Sequence, residues 1–353
     1  MAELTRTETT TSALADGSGS TRHSGALPTA RGQRRYAITV TCLAVLAVGF
    51  GFGVLAWDNP MPIGSDGFWI IAKMRTSTLV TMAVVAFCQA LATVSFQTVT
   101  NNRIITPSIM GFESLYVAIQ TAAIYFMGAA GLVALTGVPQ FAMMVVLMVA
   151  LSLVLYGWLL TGRFGNIQIM LLIGIIIGGG LGSVSSFMQR LLTPSDFDLL
   201  TARMFGSMAN SDTSYFPIAI PLCLVAGGML WLRSRRLNVL ALGKDPTLNL
   251  GLNHRAEQIT VLVLVSILIA TSTALVGPLT FLGFLVATLA YQFADTYDHR
   301  RIFPVAVLIG FVVLSGAYFI MKHIFYAQGV VGIIIELVGG SVFLYVILRK
   351  GHL

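Results

Sequence analysis

Five histidines, three cysteines and a thin scatter of carboxylates are the residues of this 353-residue chain that could ligate a metal or carry acid–base or nucleophilic chemistry. Their spacing argues against each of these. His23, His254, His299, His323 and His352 fall in tails or between apolar runs. None is paired at i,i+4, and no Asp or Glu joins them at ligand spacing. No metal site and no catalytic residue is therefore assigned. A G-x-S-x-G elbow is absent, and Gly243-Lys244 has Asn238 where the first glycine of a Walker A loop should stand, so the chain alone is not expected to hydrolyse ATP. Cys42, Cys88 and Cys223 lie inside apolar runs, an odd and scattered set that reads as small core residues rather than a disulfide framework.

Two carboxylates stand apart, because Glu113 and Glu336 interrupt long apolar stretches. A carboxylate inside a bilayer is costly, so each marks either a functional site, as in an ion-coupled carrier, or a position near a helix end or a water-filled cavity. Gly174, Gly178 and Gly182 recur every fourth residue, and on a helix they share one face. Such a surface lets backbones approach closely; lining a pathway is the alternative use of the same small surface.

The elements that position these residues are set by composition. The chain is 56% hydrophobic and 10% charged with a mean hydropathy of +0.85, which excludes an ordinary water-soluble enzyme and makes the bilayer its main solvent. Uncharged runs of helix-spanning length, rather than short alternating segments, point to an all-α bundle and not a β-barrel. With charged residues as punctuation, spans are expected at 36–57, 76–102, 164–189, 213–232, 302–321 and 323–348. The run 104–112 continues past Glu113 to 162, where 114–162 divides into two near Gly137-Val138-Pro139, and 258–294 divides into two shorter ones near Gly277-Pro278, giving about ten in all. Residues 1–35, in which Thr, Ser and Gly fill 15 positions, are expected to be a disordered tail. The run 36–57 is too long for a signal-peptide core and is kept as a permanent helix.

With the N-terminus inside, 16 of the 21 Lys and Arg fall in inner segments and 5 in outer ones. That bias supports a multi-pass protein of the cytoplasmic membrane with both termini cytoplasmic. It also explains the formal charge of +7 without nucleic acid, for which no basic-aromatic patch is present. The longest polar interruption, residues 233–258, mixes leucines with charges and suits a short amphipathic helix-turn-helix exposed to cytoplasm, a surface for a soluble partner.

Four collinear motifs within residues 36–350 resemble the FecCD family of binding-protein-dependent ABC importer permeases, which would make that stretch a transmembrane permease domain. They are Ser95-Phe96-Gln97 leading to Asn101-Asn102-Arg103 and Pro107-Ser108-Ile109-Met110-Gly111; Leu237-Asn238-x-Leu240-x-Leu242-Gly243 with Leu250-Gly251-Leu252; Val276-Gly277-Pro278-Leu279-Thr280-Phe281-Leu282-Gly283-Phe284; and Val331-Gly332 with Glu336-Leu337-Val338-Gly339-Gly340. The wording of the first is most similar to the branch handling iron-siderophore chelates, with haem and cobalamin import as the alternatives within the family. An ion-coupled secondary transporter using Glu113 or Glu336 is the alternative of another class. Three departures stand out: Arg103 where the common pattern has Pro, Ala287-Thr288 where many members have Pro-His, and Gly340-Ser341 where Ala-Pro is usual.

The resemblance implies a type II ABC importer permease fold, a second permease (identical or paralogous), a separate ATPase that binds the ATP and Mg, an extracytoplasmic substrate-binding protein and a lipid environment. No cofactor on this chain is implied. By position it makes Leu237, Asn238, Leu242, Gly243, Lys244, Asp245, Leu250 and Gly251 the ATPase-coupling residues. Lys73, Arg75 and Lys322 become binding-protein docking residues, and Asn102, Ile104 and Glu113 gate or pathway residues.

Overall fold

The computed structural model describes residues 25–27, 29–58, 60–62, 64–134, 137–161, 167–204, 208, 212–325 and 331–349, and among them there is no strand. The tail expected over residues 1–35 lies largely outside the described residues. Among the described residues thirteen α-helices follow one another: α1 (Ala30–Ala56), α2 (Asp66–Thr100), α3 (Phe112–Ala134), α4 (Val138–Thr161), α5 (Ile167–Arg190), α6 (Pro194–Met204), α7 (Phe216–Leu232), α8 (Ser234–Leu240), α9 (Lys244–Asn249), α10 (His254–Val276), α11 (Leu282–Ala294), α12 (His299–His323) and α13 (Val331–Arg349). Ten of them coincide with the ten expected spans. The short α6, α8 and α9 are the remainder.

Several helices begin earlier than the apolar runs do, because their polar N-caps sit beyond the hydrocarbon. Thr29, Ser65, Asn253 and Asp298 each accept a first-turn backbone N–H through a side-chain oxygen, and these caps start α1, α2, α10 and α12. Charge punctuation trims a helix at its first Arg or Lys, whereas the helix itself projects past the bilayer. Helix α2 is the extreme case: its 35 residues extend about 52 Å at 1.5 Å per residue, well beyond a hydrocarbon core of about 30 Å.

The run 258–294 divides unequally. Helix α10 has 23 residues and α11 only 13, so α11 is about 20 Å long and does not cross a full bilayer alone. The break between them holds Gly277 at φ +91° and Pro278, a conformation that favours glycine followed by a residue that cannot continue the helix.

Helices α2 and α10 are the most buried of the long apolar helices and pack along one another, with α12 next to them; α1 packs outside against α12, few of its residues fully buried. The exposed apolar face of α1 is what a lipid-facing helix requires. Cys88 on α2 and Cys223 on α7 meet in the core with sulfurs 3.0 Å apart, while Cys42 is exposed on α1 and is no core residue.

A repeated arrangement lies within the bundle. Residues 174–184 on α5 read GIIIGGGLGSV, and residues 332–342 on α13 read GIIIELVGGSV. Each helix lays a glycine closely against the chain break after a central helix. Gly178 of α5 meets Gly111 beyond the end of α2, and Gly339 of α13 meets Phe281 beyond the end of α10.

Candidate coupling segment and translocation pathway

Residues 233–258 fold as the expected helix-turn-helix. Helices α8 and α9 are joined through Gly243 at φ +97°, and the buried Thr247 hydroxyl ties them by donating to the carbonyls of Gly243 at 2.6 Å and Val239 at 3.2 Å. Leu237 and Leu240 turn into the bundle, whereas Leu242, Leu248 and Leu250 stay exposed. Lys244, Asp245 and Gly251 lie beside them. An apolar ridge at the rim of a bundle is what a protein partner would cover.

The segment is bolted to the bundle by charge and hydrogen bonds. Glu257 at the start of α10 is buried and accepts from Arg233, at 2.6 Å, and from Arg236, one oxygen to each. Asn238 on α8 donates through Nδ2 to Asp298 Oδ1 at 3.0 Å. Its Oδ1 in turn accepts from the His299 backbone N–H at 3.1 Å and lies 2.5 Å from His299 Nδ1. The far ring nitrogen, Nε2, is 2.7 Å from the Thr98 hydroxyl on α2. The sequence places His299 between spans; in the structure it is the first residue of α12 and is 3% exposed. His254 and His323 likewise begin and end helices.

Asn102 and Ile104 follow the end of α2. Asn101 adopts the left-handed conformation at φ 48°, the Asn102 N–H returns to the Gln97 carbonyl at 3.1 Å, and Asn102 Oδ1 accepts from the Ile104 N–H at 2.9 Å. Gln97 Nε2 donates to the Arg103 carbonyl at 2.7 Å. The Arg103 guanidinium lies 4.7 Å above the Tyr291 ring of α11. This turn is held by side chains that reach back into α2, so it moves with the α2 terminus.

Glu113 occupies the first turn of α3, where the helix end favours a carboxylate. Its Oε2 accepts from the Thr280 hydroxyl at 2.6 Å, pinning α3 to the α10–α11 break. Glu336 on α13 is within electrostatic reach of it but is itself exposed.

At the opposite end of α2 lie the other named cations. Arg75 spends its guanidinium on the C-terminal end of α1, donating to the carbonyls of Trp57 at 2.7 Å, Asp58 at 3.1 Å, Leu55 at 3.3 Å and Val54 at 3.5 Å. Lys73, two residues earlier, projects from the same stretch of α2. Lys322, half-buried at the end of α12, sits 5.9 Å over the Tyr318 ring and within electrostatic reach of Arg75. The structure thus gathers Arg75 and Lys322, which are far apart in sequence, on one rim.

Of the glycine triplet, Gly174 and Gly178 lie against Met110 and Gly111, whereas Gly182 faces open space. Sequence reasoning missed Glu257, Asp298, His299 and Thr98. The Asp298-His299 pair before an apolar run is a readable N-cap signal; nothing local announces the partners.

The chain as a whole is similar to known proteins. Residues 38–349 match the FecCD transport family. The chain is 52% identical over 329 residues, 93% of each chain, to the petrobactin import system permease protein FatC of Bacillus anthracis. It is 36% identical to the petrobactin import system permease protein YclO of Bacillus subtilis, over 91% of this chain and 98% of that one. Its fold is that of a solved metal-chelate type ABC transporter in an inward-facing conformation, with a TM-score of 0.76 and 21% identity over 89% of this chain and 99% of the other. The family match over residues 38–349 and the identity sustained over 93% of both chains span the bundle, and the chain belongs to the FecCD transport family.

Proposed function

We propose that the chain is the membrane-spanning permease subunit of an importer that carries an iron-siderophore chelate across the cytoplasmic membrane, with a siderophore of the petrobactin class as its cargo. The observation that carries this reading is the 52% identity to a petrobactin import permease along 93% of both chains. An identity sustained over that length takes in most of the bundle rather than one motif.

In this reading two permeases, identical or paralogous, surround a central cavity. A substrate-binding protein docks outside on Lys73, Arg75 and Lys322, and complementary charge there sets encounter rate and register. Arg75 also holds the end of α1, so docking would act on a residue already wired into the bundle. Two ATPases bind ATP and Mg inside and receive the ridge of Leu242, Leu248 and Leu250, with Leu237, Asn238, Gly243, Lys244, Asp245 and Gly251 shaping that surface. Both termini lie on the cytoplasmic side. ATP-driven closure does work on this chain only through contacts that differ between inward-facing and outward-facing states, and those contacts enter at α8–α9. Asn102 and Ile104 close the inner end as an uncharged gate. The iron arrives inside its chelator, so no protein metal ligands are needed.

The test is reconstitution in proteoliposomes with and without the cognate ATPase, measuring siderophore uptake and substrate-dependent ATP hydrolysis. Uptake that requires the ATPase supports the reading. Uptake that proceeds without any ATPase and collapses with the ion gradient refutes it in favour of an ion-coupled carrier.

A further inference from the structure

The Asn238–His299–Thr98 chain joins the α8–α9 segment to the terminus of α2 through three side chains contributed by α8, α12 and α2. It holds fewer hydrogens than acceptors, and the assignment follows from the neighbours. The Asn238 amide is oriented by its donation to Asp298, so its oxygen faces His299. An amide oxygen only accepts, so a proton sits on His299 Nδ1. In a neutral ring Nε2 is then a bare acceptor, and it faces the Thr98 hydroxyl. That hydroxyl has one hydrogen, and its two nearest claimants are His299 Nε2 at 2.7 Å and the Val94 carbonyl at 2.8 Å; the Tyr291 hydroxyl of α11 also reaches it and donates to the same Val94 carbonyl at 3.4 Å. One arrangement locks α2 to α12 and, through Asn238, to α8; the other returns the hydroxyl to its own helix. The choice is made four residues before Asn102, beside a carbonyl of Thr98 that itself accepts from the Asn101 N–H at 3.2 Å.

We propose that Asn238, His299 and Thr98 act as positioning residues that transmit engagement of the ATPase at α8 to the turn at Asn102 and Ile104, by shifting the Thr98 hydroxyl between His299 and Val94. The inference rests on the permease reading above. Movement of α8 by a bound partner pulls on Asn238, Asn238 turns the imidazole, and the imidazole gains or releases the α2 terminus. His299 and Thr98 are both buried, so water does not replace a lost partner, and the exchange has two discrete arrangements rather than a continuum.

The experiment uses the full complex in proteoliposomes and compares wild type with Thr98→Val, Thr98→Ser and His299→Ala. Thr98→Val keeps the side-chain shape and removes the hydroxyl; Thr98→Ser keeps the hydroxyl. The readouts are co-purification of the ATPase, basal ATP hydrolysis, its stimulation by loaded binding protein, and siderophore transported per ATP hydrolysed. Thr98→Val and His299→Ala are expected to assemble and to hydrolyse ATP at the basal rate, while transport per ATP falls about tenfold, equivalent to about 1.4 kcal/mol of coupling; Thr98→Ser is expected to retain wild-type coupling. Transport per ATP unchanged in assembled Thr98→Val and His299→Ala overturns the relay. So does failure of Thr98→Val to accumulate while Thr98→Ser accumulates, since the hydroxyl is then structural. If His299→Ala alone does not accumulate, the Thr98 pair decides. A wild-type complex that takes up siderophore without the ATPase sinks the permease reading itself, and the relay with it.

Discussion

Gly178 and Gly111 meet backbone to backbone, so that a Cβ built on Gly178 would lie 2.9 Å from the Gly111 Cα. Neither side has a flexible atom to yield. Helix α5 is seated directly on the break that follows α2, and the glycine is required by close approach rather than by backbone conformation.

Gly178→Ala is therefore expected to destabilise the protein by about 1–3 kcal/mol, the usual cost of overpacking. Gly182→Ala, on the same helix but facing open space, should be neutral or gain up to about 1 kcal/mol from helix propensity. Thermal unfolding of the two variants in detergent, read by intrinsic fluorescence, checks the contrast. Equal melting temperatures would remove the packing argument.

Arg75 is expected to matter twice, Lys73 once. Arg75→Ala strips four carbonyls at the end of α1 of a charged donor, a loss of about 1.5–3 kcal/mol, and should also weaken binding-protein association. Lys73→Ala should weaken association and leave the melting temperature in place, because the lysine sits at the rim of the bundle rather than in its packing. Melting curves alongside titration of the binding protein onto the reconstituted complex separate the two roles.

Glu257 is shared by two arginines, and its loss strands both. Glu257→Ala is expected to cost about 3 kcal/mol, as for one partner of a buried pair. Arg236→Ala, whose side chain is about half exposed, should cost under about 1 kcal/mol. Denaturation midpoints of the two variants test the asymmetry, and ATPase co-purification should fall with the first far more than with the second.

The exposed leucines predict a partner-specific defect. Leu250→Asp and Leu242→Asp alter side chains that stand outside the core, so stability should hold while affinity for the ATPase falls at least about tenfold, the effect of losing an interfacial anchor. Pull-down of the ATPase at matched expression reads this directly.

Glu113 and Glu336 separate the energy sources. An ATP-driven permease does not need either carboxylate to titrate, and the amide oxygen introduced by Glu113→Gln can still accept from the Thr280 hydroxyl. Uptake by Glu113→Gln and Glu336→Gln is expected to stay within about twofold of wild type. Loss of uptake with intact ATP hydrolysis in either variant would return the ion-coupled reading to contention.

Much of this protein was legible before folding. Membrane class, the ten expected spans and the helix-turn-helix at 233–258 follow from hydropathy, charge and turn residues, each a property of a short window of chain. The four motifs carried the family, because they keep their order along the sequence. Helix ends were less legible: α2 begins at Asp66 under the Ser65 cap, ten residues before the uncharged run, since a helix can outrun the bilayer that punctuates its charges. Tertiary structure alone decided the partners. Thr98 and His299 are 201 residues apart, Gly178 and Gly111 belong to separate runs, and Arg75 reaches back to α1. Periodicity tells which residues share a helix face but not which neighbour that face meets. Helix rotation and packing order are settled only when all the helices exclude lipid and one another together.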